Sequence, residues 1–208
     1  MSASARDIAL LRLVGEQCAL TQPQLARAIG FSEHAARKLR SRWAAAGWAE
    51  GRVLLAGRPP LVWLTRRGTA LAGVPFRPWR PTPLGLLDHI VAAAEARLVV
   101  AGRRPEAHWI CERQLLRDER EHGRGYSAVH RPDAEVVCEE GTAAVEVELT
   151  LKSQLRWRRI ARELVGRYDA AWYFAPPPLD KRLAQWAEHS RLERIHVLEL
   201  PDPWRRRG

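Results

Sequence analysis

The chain has 208 residues, 46% of them apolar, enough for one large domain or two small ones with real cores. Against 24 Asp+Glu stand 34 Lys+Arg, nearly all arginine, and the formal charge of +10 points to nucleic acid, because the guanidinium fork matches phosphate and guanine edges. Cys18, Cys111 and Cys138 are too far apart for a zinc site, no apolar run approaches the ~18 residues of a membrane span and no signal core opens the chain, so a cytoplasmic protein with no membrane partner is expected.

In chain order, Asp7 to Glu16 places Ile8, Leu11 and Val14 at helical spacing. Thr21 is an N-cap for a second helix, with Gln24 completing a capping box, and Gly30 ends it. Ser32 caps a third helix to Gly47, whose inward stripe is Ala36, Leu39, Trp43 and Ala46. His34, Arg37, Lys38, Ser41 and Arg42 recur on the opposite side. Two extended segments follow, 48–55 and 60–64, and Thr65 caps a short helix. This order, ending in Leu64-Thr65-x-x-Gly68, resembles the winged-helix DNA-binding fold. The resemblance implies that the third helix enters the major groove, making His34, Arg37, Lys38, Ser41 and Arg42 candidate DNA contacts, with Arg52 and Arg58 of the wing on flanking phosphates.

Residues 74–83, with four prolines and no periodicity, read as a semi-rigid linker, giving domains at 1–73 and 84–208. The second begins with a helix over Leu84–Gly102, a brief apolar stretch 109–111 and a helix containing Glu112, broken by a Gly-rich segment. Strands are expected at Ala134–Cys138 and Ala143–Leu151, then a helix from Ser153 to Tyr168, a strand at 170–174, a helix at 179–189 and a last strand at 195–198. The fold class is α/β (α+β), a mixed sheet flanked by helices. On the strand through Leu151, Glu146, Glu148, Thr150 and Lys152 share one face, while Val145, Val147, Leu149 and Leu151 turn to a core. The polar face could converge with Asp133 on a hard divalent cation.

Pro132-Asp133 before one strand, acids and a lysine on the next, and a helix directly after the lysine are similar to the PD-(D/E)xK nuclease superfamily over roughly residues 108–175. The resemblance implies Mg²⁺ (or Mn²⁺) held by Asp133 and Glu148 with Glu146 nearby, Lys152 orienting the attacking water, and Glu112 as an additional acid. Glu148 and Lys152 are four residues apart where the superfamily spacing is two, which sets the lysine about 7 Å farther along a strand. A winged helix followed by HRPDAEV, VEVELT and Lys-Ser resembles the replication-relaxation family of plasmids and mobile elements. Membership implies double-stranded DNA as partner, together with a relaxase or other mobile-element proteins.

Three readings follow: a metal-dependent endonuclease, a non-catalytic mobilisation factor or regulator with an inert nuclease fold, and an adaptor for an acidic protein. A homodimer through the first helix or the 84–102 helix fits the pattern equally well. After Lys152, Arg156, Arg159, Arg162 and Glu163 occupy one helix side and Leu155, Ile160 and Leu164 the other. That side serves either strand phosphates or water, with an Arg159–Glu163 pair. His108 and His130 read as structural, Trp79 and Trp204 as docking onto a domain surface or stacking on bases, and Arg205–Arg207 as an electrostatic hook or disordered tail.

Overall fold

Four hydroxyl side chains set the helix starts of the first half: Ser4, Thr21, Ser32 and Thr65 each accept the backbone N–H three residues on, of Asp7, Gln24, Ala35 and Gly68. The structure, a computed structural model, describes residues 2–81, 84–122 and 129–204. It divides into two compact units, Met1–Leu98 with Asp202–Gly208, and Val99–Pro201.

The first unit holds α1 (Ala5–Glu16), β1 (Ala19–Thr21), α2 (Gln22–Ile29), α3 (Glu33–Ala45), β2 (Ala49–Arg52), β3 (Leu61–Leu64) and α4 (Arg66–Leu71). Its sheet is antiparallel in the order β1-β3-β2. Strand β1 lies outside the expected pattern; three residues are too few for alternation to be visible, and it forms because Ala19 to Thr21 pair with Trp63 to Leu61. On α1 the buried side is Asp7, Leu10, Leu11 and Val14, and Ile8 is exposed, which corrects the expected stripe. The stripe turns because Asp7 points inward: Trp43 Nε1 donates to its carboxylate at 2.8 Å and Arg42 pairs with it at 2.5 Å. Burial raises the Asp7 pKa, but the hydrogen bonds from Trp43 and Ser4 and the Arg42 charge outweigh it and bring the carboxyl below its usual range.

The Leu64-Thr65-x-x-Gly68 ending has a packing reason. Thr65 Oγ1 donates to the Gly47 carbonyl at 2.6 Å and accepts the Gly68 N–H at 3.1 Å, folding α4 back onto the turn after α3. There the Gly68 backbone meets Trp48, and a Cβ at position 68 would lie 1.8 Å from the Trp48 carbonyl oxygen.

Residues 74–83 do not separate the units. Val74 packs into the core of the first unit, and the helix α5 (Leu87–Arg103) starts there: Leu87 and Val91 pack with Ala19, Leu61, Trp63 and Trp204, and Trp204 Nε1 donates to Asp88 at 2.8 Å. The expected boundary therefore moves to Leu98/Val99, inside α5, because apolar packing rather than prolines decides where cohesion ends. Residues 82–83, the Gly-rich 123–128 and the tail 205–207 lie outside the described residues.

The second unit contains β4 (His108–Cys111), α6 (Glu112–Glu121), β5 (Ala134–Cys138), β6 (Gly141–Val147), α7 (Gln154–Val165), β7 (Ala170–Ala175), α8 (Leu179–His189) and β8 (Ile195–Glu199). Its five strands run in the order β4-β5-β6-β7-β8, antiparallel across β4, β5 and β6 and parallel across β6, β7 and β8. Trp157, Ile160, Ala161 and Leu164 of α7 and Leu183 and Ala187 of α8 cover the sheet face carrying Ala144, Ala171 and Tyr173. The mixed α+β class agrees with expectation. No helix among the described residues is long and apolar enough to cross a membrane.

Gly68→Ala is expected to cost more than about 2 kcal/mol, because backbone must move to admit the methyl group. Thr65→Ala should cost about 1 kcal/mol as a lost cap. Urea unfolding of both variants checks the order; a Gly68→Ala protein as stable as wild type would refute the close approach.

Candidate functional site

Strand β6 is third of five, hydrogen-bonded on both edges, and the chain leaving it crosses the sheet as α7 before returning as β7. Both of its faces are therefore buried. In the parallel pairing Glu146 is level with Tyr173 and Ala144 with Ala171, so the carboxylate face is the one beneath α7. Glu146 and Glu148 are each 3% exposed. The alternation of the two faces persists, but the crossover helix roofs the polar side as well.

The strand also stops earlier than expected, at Val147 instead of Leu151. Glu148 N–H still donates to the Phe174 carbonyl at 2.9 Å, after which the chain bends, leaving Thr150 exposed. The bend brings Lys152 Nζ to 2.7 Å from Glu148 Oε2. The offset of about 7 Å that four residues of straight strand would impose is thus removed. The contact is an ion pair that offsets the buried Glu148 charge.

Asp133 sits one residue before β5 and extends the ladder to β6. Its N–H donates to the Val145 carbonyl at 2.9 Å, and its Oδ2 accepts the Val147 N–H at 2.7 Å, which aims the carboxylate along the end of β6. Glu112 opens α6; its backbone N–H donates to the Asp133 carbonyl at 3.1 Å, and the residue itself is exposed. That bond is what ties it to Asp133.

His130, read from sequence as structural, belongs to this cluster: its Nε2 is 2.8 Å from Glu146 Oε1. Burial pushes the Glu146 carboxyl up to about 7; the His130 bond opposes this, while the Asp133 charge adds to it. The bond to Glu146 raises His130 above the usual imidazole range, against the effect of burial, with the Lys152 charge opposing and Asp133 assisting. Tyr173 also escaped sequence reading. Its hydroxyl is buried without a partner among the described residues, and its pKa is raised by burial and then by the charges of Glu146, Glu148 and Asp133. Trp157, whose ring centroid lies 5.7 Å from that of Tyr173, likewise has a buried Nε1 with no partner among the described residues. The available signal for Tyr173 was its position on the strand after the crossover, and only the register places it beside Glu146.

Asp133 and Glu148 supply carboxylate oxygens, the donor type that a hard cation prefers, and Oε2 of Glu148 is paired with Lys152. No group of three or more His, Cys, Asp or Glu arranged to hold a metal occurs among the described residues, and Glu146 is engaged by His130. Glu146 therefore leaves the expected ligand set and becomes a buried neighbour of it.

In the first unit His34, Arg37, Lys38, Ser41 and Arg42 all lie outside the buried face of α3, while Ala36 and Trp43 face the core. Arg42 is also committed to Asp7 at 2.5 Å, so it anchors α3 to α1. Arg52 is exposed and pairs with Glu50 at 3.3 Å; the exposed Arg58 has its guanidinium 5.3 Å from the Trp204 ring centroid. No protein-family model matches the chain, and no curated protein matches it in sequence.

Stability should fall as pH rises from the ordinary carboxylate range, about 4.3, to about 7. Across that interval native Glu146 keeps a proton that the unfolded chain has released, and raised His130 adds a loss of the same sign above its usual value. Glu146→Gln is expected to flatten this slope in urea titrations between about pH 5 and 8. An unchanged slope in the variant would refute the assignment.

Proposed function

We propose that this protein belongs to the replication-relaxation type, docks on duplex DNA through α3 of a winged-helix unit, and acts on DNA at a nuclease-like site built from Asp133, Glu148 and Lys152. The observation that carries the reading is the return of Lys152 to 2.7 Å from Glu148 Oε2 at the strand end where Asp133 is also aimed. An acid, a second acid and an ammonium gathered at the end of adjacent strands is what phosphodiester hydrolysis asks of a protein.

A divalent cation bound there would polarise the scissile phosphate and lower the pKa of a water. The residues supply the remainder. Asp133 is held rigid by the Val147 N–H, so its other oxygen keeps one direction. Glu148 is held by its own backbone bond to β7. Lys152 offsets the buried charge of Glu148 and can stabilise the negative charge that grows on phosphate as water attacks. Burial of Glu148 strengthens its interaction with Lys152.

A second reading has its own observation. Glu146 is neutralised by burial and bonded to His130, and no three-ligand metal group exists among the described residues. On this reading the domain keeps the nuclease architecture, holds DNA without cutting it, and serves as an accessory factor in mobilisation or regulation.

Incubating supercoiled plasmid with Mg²⁺ or Mn²⁺ separates the two. Hydrolysis by wild type that falls by about 10²-fold or more in both Asp133→Ala and Lys152→Ala supports the enzyme, on the scale of lost transition-state charge stabilisation. A Mn²⁺-dependent rise in melting temperature, absent in Asp133→Ala, reports binding apart from activity. Equal activity in all three proteins, or none in any, removes the enzyme reading. For DNA binding, Arg37→Ala with Lys38→Ala should weaken duplex affinity and lower the salt slope by about 0.9 for each phosphate that is no longer neutralised. Unaltered affinity and slope would refute α3 as the docking helix.

A further inference from the structure

Helix α7 spends its apolar side on the sheet, burying Trp157, Ile160, Ala161 and Leu164. Along its outer side Leu155, Arg159 and Arg162 recur at four and three residues and so form one line, with Arg156 flanking it. None of the four is buried, and Leu155 is 79% exposed, which corrects the expectation that it shares the side of Ile160 and Leu164. An exposed arginine on a helix ordinarily finds an acid one turn away, and the acid of this helix is Glu163. It is already engaged: it accepts the His130 backbone N–H and lies 3.7 Å from Arg167. The expected Arg159–Glu163 pair does not form. Arg158 turns aside to Ser190 at 3.1 Å. Arg156, Arg159 and Arg162 have no acid partner among the described residues, and the line starts three residues after Lys152, which pairs with Glu148.

We propose that this outer line of α7 is a track for the phosphodiester backbone of a nucleic-acid strand, with phosphates on Arg156, Arg159 and Arg162 and a base edge or face against Leu155. Three unpaired guanidinium forks on one rigid helix match a repeating anion better than a single acid. An exposed leucine among them matches a polymer that alternates charge with flat apolar surface. An anionic bilayer offers phosphates too, but an interfacial helix needs a broad apolar face to insert, and that of α7 is buried on its own sheet. The inference rests on the proposed function only in taking nucleic acid as the partner; it adds a binding surface on the second unit that does not depend on α3 or on cleavage.

The test uses the full chain with Arg156, Arg159 and Arg162 all changed to Ala, and separately all changed to Lys. Affinity is measured against salt for a duplex of about 20 base pairs and a single strand of about 20 nucleotides, beside the Arg37→Ala, Lys38→Ala protein. Melting temperature controls for folding. The alanine variant should lose about 2–3 from the slope of log K against log salt on duplex, or about 2 on single strand, from about 0.9 and 0.7 per neutralised phosphate. The lysine variant should keep most of the slope. The strand form showing the larger loss is the one the track holds. Wild-type slope and affinity in the alanine variant overturn the track while leaving docking through α3 intact. Loss of binding to phosphatidylserine vesicles with unaltered DNA slopes overturns it in favour of a membrane. A wild-type protein with no DNA affinity overturns the proposed function itself and the track with it.

Discussion

Strand β6 and the residue that follows it must bury two glutamates, Glu146 and Glu148, in the middle of a sheet, and the arrangement of the second unit follows from how that burden is met. A strand paired on both edges and roofed by a crossover helix cannot send a side chain to water from its middle. Each carboxylate there needs a partner supplied from elsewhere. Glu146 receives His130 and a raised pKa; Glu148 receives Lys152, which the chain can deliver only because the strand ends at Val147 and bends. Asp133 takes the next N–H of the same strand. The ends of β5 and β6, the segment before β5 and the loop before α7 are all committed to those acids.

The same economy leaves atoms unserved. Tyr173 Oη and Trp157 Nε1 are buried without hydrogen bonds among the described residues. Buried polar groups of this kind each carry a cost of about 1–3 kcal/mol, which ordered water, an ion or a substrate oxygen would recover. Of the two, Tyr173 lies close enough to Glu146, Glu148 and Asp133 to feel their charges. Charge is divided in a similar way. Acids are drawn inward on β6 and on α1, where Asp7 binds Trp43 and Arg42, while arginines without acid partners are left on the outer line of α7. A basic surface over a buried acidic strand end suits a polyanion that must be held close to carboxylates.

Much of the architecture was legible. Helix caps at Thr21, Ser32, Thr65 and Ser153 are local hydrogen bonds between neighbours in sequence, and all four form. The outward residues of α3 follow from helical period alone. Helix α8 begins and ends where its pattern does. What eluded the pattern was non-local: β1, whose three residues acquire meaning only from β3; the inward turn of Asp7, which depends on Trp43; and the division inside α5, set by packing against Trp63 and Trp204.

For the candidate site, chain order alone determined which residues could take part, since Pro132-Asp133, the alternating glutamates and the lysine before a helix are all properties of spacing. It also determined that two strands and a following helix would stand beside them, because periodicity and capping are local. Only the tertiary structure decided that the carboxylate face is roofed, that Lys152 folds back to Glu148, that His130 and Tyr173 join them, and that Glu163 is taken from Arg159. Those outcomes depend on which strands pair and where a strand stops. Such facts come from backbone hydrogen bonds and packing between segments distant in sequence, which no local pattern records.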